Sequence, residues 1–186
     1  MADKDPVVIS GGGPVAMVLA LALYRQGVPF IVLESLHEPF VDQRAASHHP
    51  PTVEMLDELG LAEPMIERGL KSPLYRFHDR VNHEVVAEFD LGDLKDELKF
   101  PYVVQYEQYK LVRLVLELHG HKPEFDVRFS HIVTGFIQHD DHVDVTMQQP
   151  DGSTGTIRAS YLVGCDGGRS TVRKTAGIDF AGFTYP

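Results

Sequence analysis

The chain has 186 residues, enough to bury a sizeable core, and its 27 acidic residues against 17 basic ones give a formal charge of −10. That balance argues against a nucleic acid or an anionic membrane surface as partner. Cys165 is the single cysteine, which excludes an intrachain disulfide, and no run of about 20 apolar residues is present to span a bilayer. A soluble, cytoplasmic protein is expected.

Val7, Val8 and Ile9 form a short apolar run suited to a buried parallel strand. Gly11, Gly13 and Ala16 then fit G-x-G-x-x-G/A. The first glycine of that pattern permits a tight turn, the second lets a pyrophosphate approach the backbone, and the third small residue lets helix and strand pack closely. Pro14 suits the first helical position, where no amide hydrogen is needed. A helix starting there aims free N–H groups and its positive dipole end at phosphate. The stretch from Pro14 to Tyr24 is apolar enough to imitate a signal-peptide core, but Asp3, Lys4 and Asp5 precede it and no clean cleavage site follows. Val15, Val18, Leu19, Ala22 and Leu23 are expected to line its inner face, with Gly27 as its stop. A second strand ends at Glu34, about the ~20 residues after Gly13 expected of an acid that grips a ribose hydroxyl. A carboxylate there repels a 2′-phosphate, which disfavours NADP at this site and leaves NAD and the ADP half of FAD equally suited.

Thr52 is expected to cap a helix carrying Val53, Leu56 and Leu59, which Gly60 ends. Residues 73–78 and 84–89 alternate as a strand pair turning near Asn82 and His83. Leu111, Leu114, Val115 and Leu118 recur at helical spacing between Glu107 and Leu118. Beyond them the period changes. Residues 127–129, 132–137, 143–147 and 154–158 read as the short strands of an antiparallel meander, turning at Asp140-Asp141 and at Pro150-Asp151-Gly152. The ten histidines include His48-His49, the pair His119 and His121, and the pair His139 and His142. None has a zinc spacing with supporting thiols, so they read as solvated surface and no metal site is expected. Tyr161-Leu162-Val163 is a last buried strand, and it runs into Gly164-Cys165-Asp166-Gly167-Gly168, with a helix starting near Ser170.

In this segment the chain resembles the flavoprotein aromatic hydroxylases, the single-component FAD monooxygenases of the para-hydroxybenzoate hydroxylase type, which include phenol and 3-hydroxyphenylpropionate hydroxylases. Their second motif is a strand followed by Asp-Gly, a small polar residue, then a hydrophobe and Arg. Asp166, Gly167, Ser170, Val172 and Arg173 supply it here. The segment VDQRAASHHPPTVEML around Arg44 is similar to the family segment after the second strand, and GIDFAGFTYP to the exit from the FAD domain.

The resemblance, which runs from Val7 to Pro186, implies an α/β fold. A Rossmann-like FAD-binding domain would be interrupted by the antiparallel meander and joined to the first strands of a substrate-binding sheet. Residues 1–179 would form the FAD domain, with 72–100 belonging to the start of the substrate sheet and 180–186 to the entrance of a substrate domain. Gly11, Gly12, Gly13, Pro14, Val15 and Ala16 would cradle the pyrophosphate and Glu34 would hold the adenosine ribose. Arg44 would reach towards the flavin, where its charge favours the electron-rich reduced form. Gln108, with Gln105 as a close competitor, would contact the flavin side. Asp166 would order the phosphate and ribityl region, or serve instead as an Asx-turn or helix-cap residue. No side chain of this chain is expected to be catalytic.

The implied chemistry is the cofactor's. NADH or NADPH reduces FAD, O₂ adds at the flavin C4a, and the hydroperoxide hydroxylates a small aromatic, phenolic substrate. Family members are about twice this length or more, and their later Gly-Asp motif and most of the substrate sheet have no counterpart here. A truncated enzyme is therefore expected, and a complementing C-terminal half is a partner this allows. Two alternatives stay open: a non-catalytic FAD-binding module or truncated paralogue, and a related FAD-dependent reductase that is not a hydroxylase. An NAD-only dehydrogenase fits least, since the interrupting strands and the Asp166 turn have no role in one.

Overall fold

A computed structural model describes residues 5–42 and 45–183. In chain order the elements are β1 (Val7–Ser10), α1 (Pro14–Arg25), β2 (Phe30–Leu33), β3 (Ser47–His48), α2 (Pro50–Glu58) and α3 (Ala62–Arg68). There follow β4 (Leu70–Ser72), β5 (Leu74–His78), β6 (Val85–Asp90), β7 (Val103–Gln105) and α4 (Gln108–His119). The last are β8 (Asp126–Arg128), β9 (Ile132–Gln138), β10 (Val143–Gln148), β11 (Thr154–Ala159), β12 (Tyr161–Gly164) and α5 (Thr171–Thr175). These divide into two compact units, one holding the chain up to Val41 and from Val115 onward, the other Asp42–Leu114.

The first unit is built on a parallel sheet in the order β12-β1-β2-β8. All four residues of β1 are buried, as a strand with neighbours on both sides requires. The register sets Val8 between Leu162 and Ile31, and Ser10 between Gly164 and Leu33. The antiparallel sheet β11-β10-β9 contributes Val133, Val143, Val145, Met147 and Ala159 to a core shared with Val8 and Leu33. Each of the valine, leucine and methionine side chains stabilises the fold by about 1.5–3 kcal/mol. Phe30 and Phe125 meet edge to face at 5.2 Å, and Tyr24 approaches Phe125 at 5.7 Å.

Two expectations for this unit are corrected. The strand expected at 127–129 as part of the antiparallel meander is β8, at 126–128, and it extends the parallel sheet instead, pairing with Ile31, Val32 and Leu33 of β2. A strand of three residues carries too little pattern to say which edge it joins. The inner face of α1 is Ala16, Met17, Ala20 and Leu21, while Val15 is 69% exposed. That helix is apolar nearly all round, so the 3.6-residue period had little polar contrast to reveal its face.

In the second unit β3, β7 and β4 form an antiparallel sheet, and β5 and β6 pair as a separate hairpin. His83, at φ 61°, makes the hairpin turn. Val53, Leu56, Leu61, Met65, Val103, Val104 and Leu111 are buried here. Thr52 does not cap α2. The cap is His49, and Pro50 and Pro51 fill the first helical positions, where their fixed φ starts the helix earlier. Among the described residues no helix is long and apolar enough to cross a membrane.

Candidate functional site

The first glycine turn follows directly from β1. Gly11 has φ +98°, and a Cβ on it would stand 2.6 Å from the Cys165 carbonyl oxygen and 2.8 Å from its carbon. Both neighbours are backbone, so only glycine fits. Its amide donates to the Leu33 carbonyl at 2.8 Å, and the Cys165 amide donates to the Ser10 carbonyl at 2.8 Å. These bonds bring the turn after β1 and the turn after β12 side by side at the carboxyl ends of their strands. In an open parallel sheet, the crevice where strand order reverses is where ligands bind, and β1, flanked by β12 and β2, is such a strand.

Gly13 differs from Gly11. A Cβ on it meets nothing within 4 Å, and its backbone is extended at φ −74°. It precedes α1, whose N-terminus has no side-chain cap and no acid in its first turn, with Pro14 opening the helix. The positive end of the α1 dipole therefore faces the turn without a protein anion on the helix itself. Ala16 is completely buried. The open face at Gly13 and the uncapped helix start fit an incoming phosphate.

Glu34 lies one residue past β2, its backbone fixed on both sides. Its amide donates to the Arg128 carbonyl, and its carbonyl accepts from the His131 amide, each at 2.9 Å. One carboxylate oxygen accepts the Gly12 amide hydrogen at 2.5 Å. The other accepts from the Leu36 amide at 2.8 Å and the Ser35 hydroxyl at 3.0 Å. A Cβ on Gly12 would stand 2.9 Å from the Glu34 Cβ. The acid thus braces the glycine turn from beneath, and its oxygens retain lone pairs for further donors.

The second glycine turn is built around Asp166. Its Oδ2 accepts from the Thr171 amide at 2.7 Å and the Val172 amide at 3.2 Å. Ser170 caps α5 as well, its hydroxyl accepting from the Arg173 amide at 2.9 Å. Asp166 Oδ1 and Arg173 Nε are buried with no hydrogen-bond partner among the described residues. A buried carboxylate oxygen left so is a polar group still to be satisfied. The Arg173 guanidinium lies 4.9 Å from the centre of the Phe180 ring. Burial, and then the Asp166 charge, push the Cys165 thiol up from its ordinary value.

The remaining expected site residues belong to the second unit. Gln108 opens α4, and its amide donates to the Ala45 carbonyl at 3.0 Å. Gln105 is engaged elsewhere, its side-chain oxygen accepting from the Ser47 hydroxyl at 2.9 Å. Arg44 lies outside the described residues. The structure therefore gathers Gly11, Gly12, Gly13, Pro14, Val15, Ala16, Glu34 and Asp166 within one unit, and sets Gln108 in the other. The part played by the Cys165 backbone was not visible in the sequence, because only the register of β12 against β1 brings it to Gly11.

A protein-family model described as "FAD binding domain" matches residues 4–186. Para-nitrophenol 4-monooxygenase of Pseudomonas sp. (strain WBC-3) is 33% identical over a 187-residue alignment that spans 100% of this chain and 45% of that protein. A flavin-dependent monooxygenase of Mycobacteroides abscessus is 38% identical over 96% of this chain and 38% of its own length. Among solved structures, p-nitrophenol 4-monooxygenase PnpA from Pseudomonas putida DLL-E4 superposes with a TM-score of 0.93 at 32% identity, covering 98% of this chain and 46% of that one. The flavin-dependent monooxygenase PieE, solved with FAD and substrate, gives 0.84 at 25% identity and covers 98% and 33%. The chain spans less than half the length of each of these relatives.

Proposed function

The chain belongs to the FAD binding domain family, and from that membership we propose that it is the FAD-binding part of a flavin-dependent monooxygenase acting on a small aromatic compound. NADH or NADPH as reductant and dioxygen as oxidant belong to the same proposal. When bound, FAD supplies the redox chemistry, coupling nicotinamide oxidation to oxygen activation. The observation that carries the proposal is the pair of glycine turns abutting at the switch point of the parallel sheet, joined by the Cys165-to-Ser10 bond.

Each residue has a task in this proposal. The amides of Gly13, Val15 and Ala16 face the pyrophosphate, Gly11 and Gly12 shape the turn through their bonds to Leu33 and Glu34, and Pro14 starts the helix whose dipole favours the phosphate. Glu34 accepts from the adenosine ribose hydroxyls while holding the turn in shape. Asp166 offers its buried Oδ1 to the phosphate and ribityl region, directly or through water. Arg44 and Gln108 serve the flavin side. The relatives' activities, para-nitrophenol 4-monooxygenation among them, support an aromatic substrate.

The test is a fluorescence-quenching titration of the purified chain with FAD, followed by NADH and NADPH oxidation assays with phenols that include para-nitrophenol. Saturable FAD binding with phenol-stimulated nicotinamide oxidation and a hydroxylated product would support the whole proposal. FAD binding without stimulation would confine it to a cofactor-binding module. Absence of FAD binding by the folded chain would overturn it.

A further inference from the structure

The β9–β10 hairpin brings together a cluster with no part in the nucleotide site. We propose that His139, His142 and Asp144 form a binding site for a divalent transition-metal ion of the zinc type. The register places them on one face. The His139 amide donates to the His142 carbonyl at 2.9 Å, closing the turn, and the ladder continues with Val143 opposite Gln138 and Asp144 opposite Ile137. Val143 and Val145 point into the core, so alternation sends His142 and Asp144 to the outer face, and His139 stands opposite His142.

The spacing suits coordination. His139 Nε2 lies 3.1 Å from Asp144 Oδ2, and His142 Nε2 lies 3.6 Å from Asp144 Oδ1. One ligand atom from each of the three residues lies within 4.8 Å of the others. Tetrahedral zinc with bonds of about 2.0–2.1 Å separates its ligand atoms by roughly 3.3 Å, close to the 3.1 Å between His139 Nε2 and Asp144 Oδ2. Two imidazoles and a carboxylate select zinc, nickel or copper over magnesium and calcium, which take all-oxygen sites.

The surrounding contacts match what a metal-bound histidine needs. His142 Nδ1 bonds Asp141 Oδ1 at 2.6 Å, and Asp141 Oδ2 accepts from Arg158 Nη2 at 3.1 Å. A carboxylate on Nδ1 orients the ring and directs Nε2 toward Asp144, as the outer partner of a metal-bound histidine does. His142 Nε2 faces Asp144 Oδ1 across 3.6 Å, a gap that a cation held between them would bridge. The rings of His139 and His142 stack at 4.2 Å with planes 7° apart. Coordination requires them to swing out of this alignment, and the 40% exposure of the His139 side chain leaves room for that movement.

The test uses the untagged full chain, with Zn²⁺ as titrant in calorimetry and Co²⁺ as an absorption probe. One Zn²⁺ per chain and visible d–d bands from bound Co²⁺ are expected. The H139Q/H142Q double variant keeps every other histidine, and its Zn²⁺ affinity should fall by at least about tenfold with the d–d bands lost. Its circular dichroism should match the parent, and because the His142 side chain is only 13% exposed its metal-free melting temperature should fall by no more than about 4 °C. Asp141→Asn should weaken Zn²⁺ by roughly tenfold without abolishing it. Equal Zn²⁺ binding by parent and double variant, or none by the parent, would overturn the site. So would Mg²⁺ competing on equal terms with Zn²⁺.

Discussion

The turn after β1 and the turn after β12 share one plan: a strand of the parallel sheet, a run of glycines, then a helix. They differ in how the helix N-terminus is satisfied. At α5 the chain does it alone, with Asp166 accepting two amides and Ser170 a third. At α1 no side chain caps the helix, and the surface at Gly13 is open. Capping and anion binding draw on the same unpaired N–H groups, so a turn that completes itself has less to offer a ligand than one left open. In the proposed function the first turn is therefore the principal phosphate cradle. The second is chiefly a brace, with the buried Asp166 Oδ1 as its one remaining offer.

The largest expected effect is at the point where the turns touch. Gly11→Ala would put a methyl group 2.6 Å from the Cys165 carbonyl oxygen at φ +98°. It should cost about 2–3 kcal/mol in a urea melt and abolish FAD binding, because both turns must shift. Gly168→Ala meets nothing within 4 Å and should change stability by no more than about 0.5 kcal/mol. Similar losses for the two would mean that the abutting backbones do not constrain the site.

The next effect tests the brace. Asp166→Ala removes the acceptor for the Thr171 and Val172 amides and should destabilise the chain by about 1 kcal/mol in the same melt. Asp166→Asn retains an acceptor oxygen and should restore most of that stability. If FAD affinity recovers with it, Asp166 acts through the turn; if affinity stays low while stability returns, its charge is felt by the cofactor.

The smallest effect is at Cys165. A thiol pushed up by burial and by Asp166 stays protonated at neutral pH, so native protein should react with iodoacetamide more slowly than unfolded protein. A raised folded-state value stabilises the fold fully below the unfolded thiol's range of about 8.5, and this contribution is lost as pH climbs through the folded value. Asp166→Asn should speed the labelling modestly. Unchanged labelling would show that the carboxylate does not act on this sulfur.

The sequence revealed the first turn well because glycine and proline have hard backbone limits: Gly11 and Pro14 admit few alternatives. The hairpin of β5 and β6 and the helix α4 were legible from their period. The inner face of α1 was not, since neither Val15 nor Ala16 is polar and only packing separates them. The partner of β8 was hidden because pairing is a tertiary choice. Strands β3, β4 and β7 have two or three residues each and carry no period. Asp166 was open between cofactor contact and helix cap. Geometry gives one oxygen to the cap and leaves the other unpaired, which composition could not foretell.

The most direct test of the central claim is FAD titration of Gly13→Ala. The position has room for a methyl group, its φ of −74° suits alanine, and a Cβ there meets no atom of the protein within 4 Å. The account predicts unchanged stability together with an FAD affinity lowered roughly tenfold or more, about 1.4 kcal/mol or greater, because the added methyl group stands where the pyrophosphate approaches. A stable Gly13→Ala protein that binds FAD as tightly as the parent would contradict it.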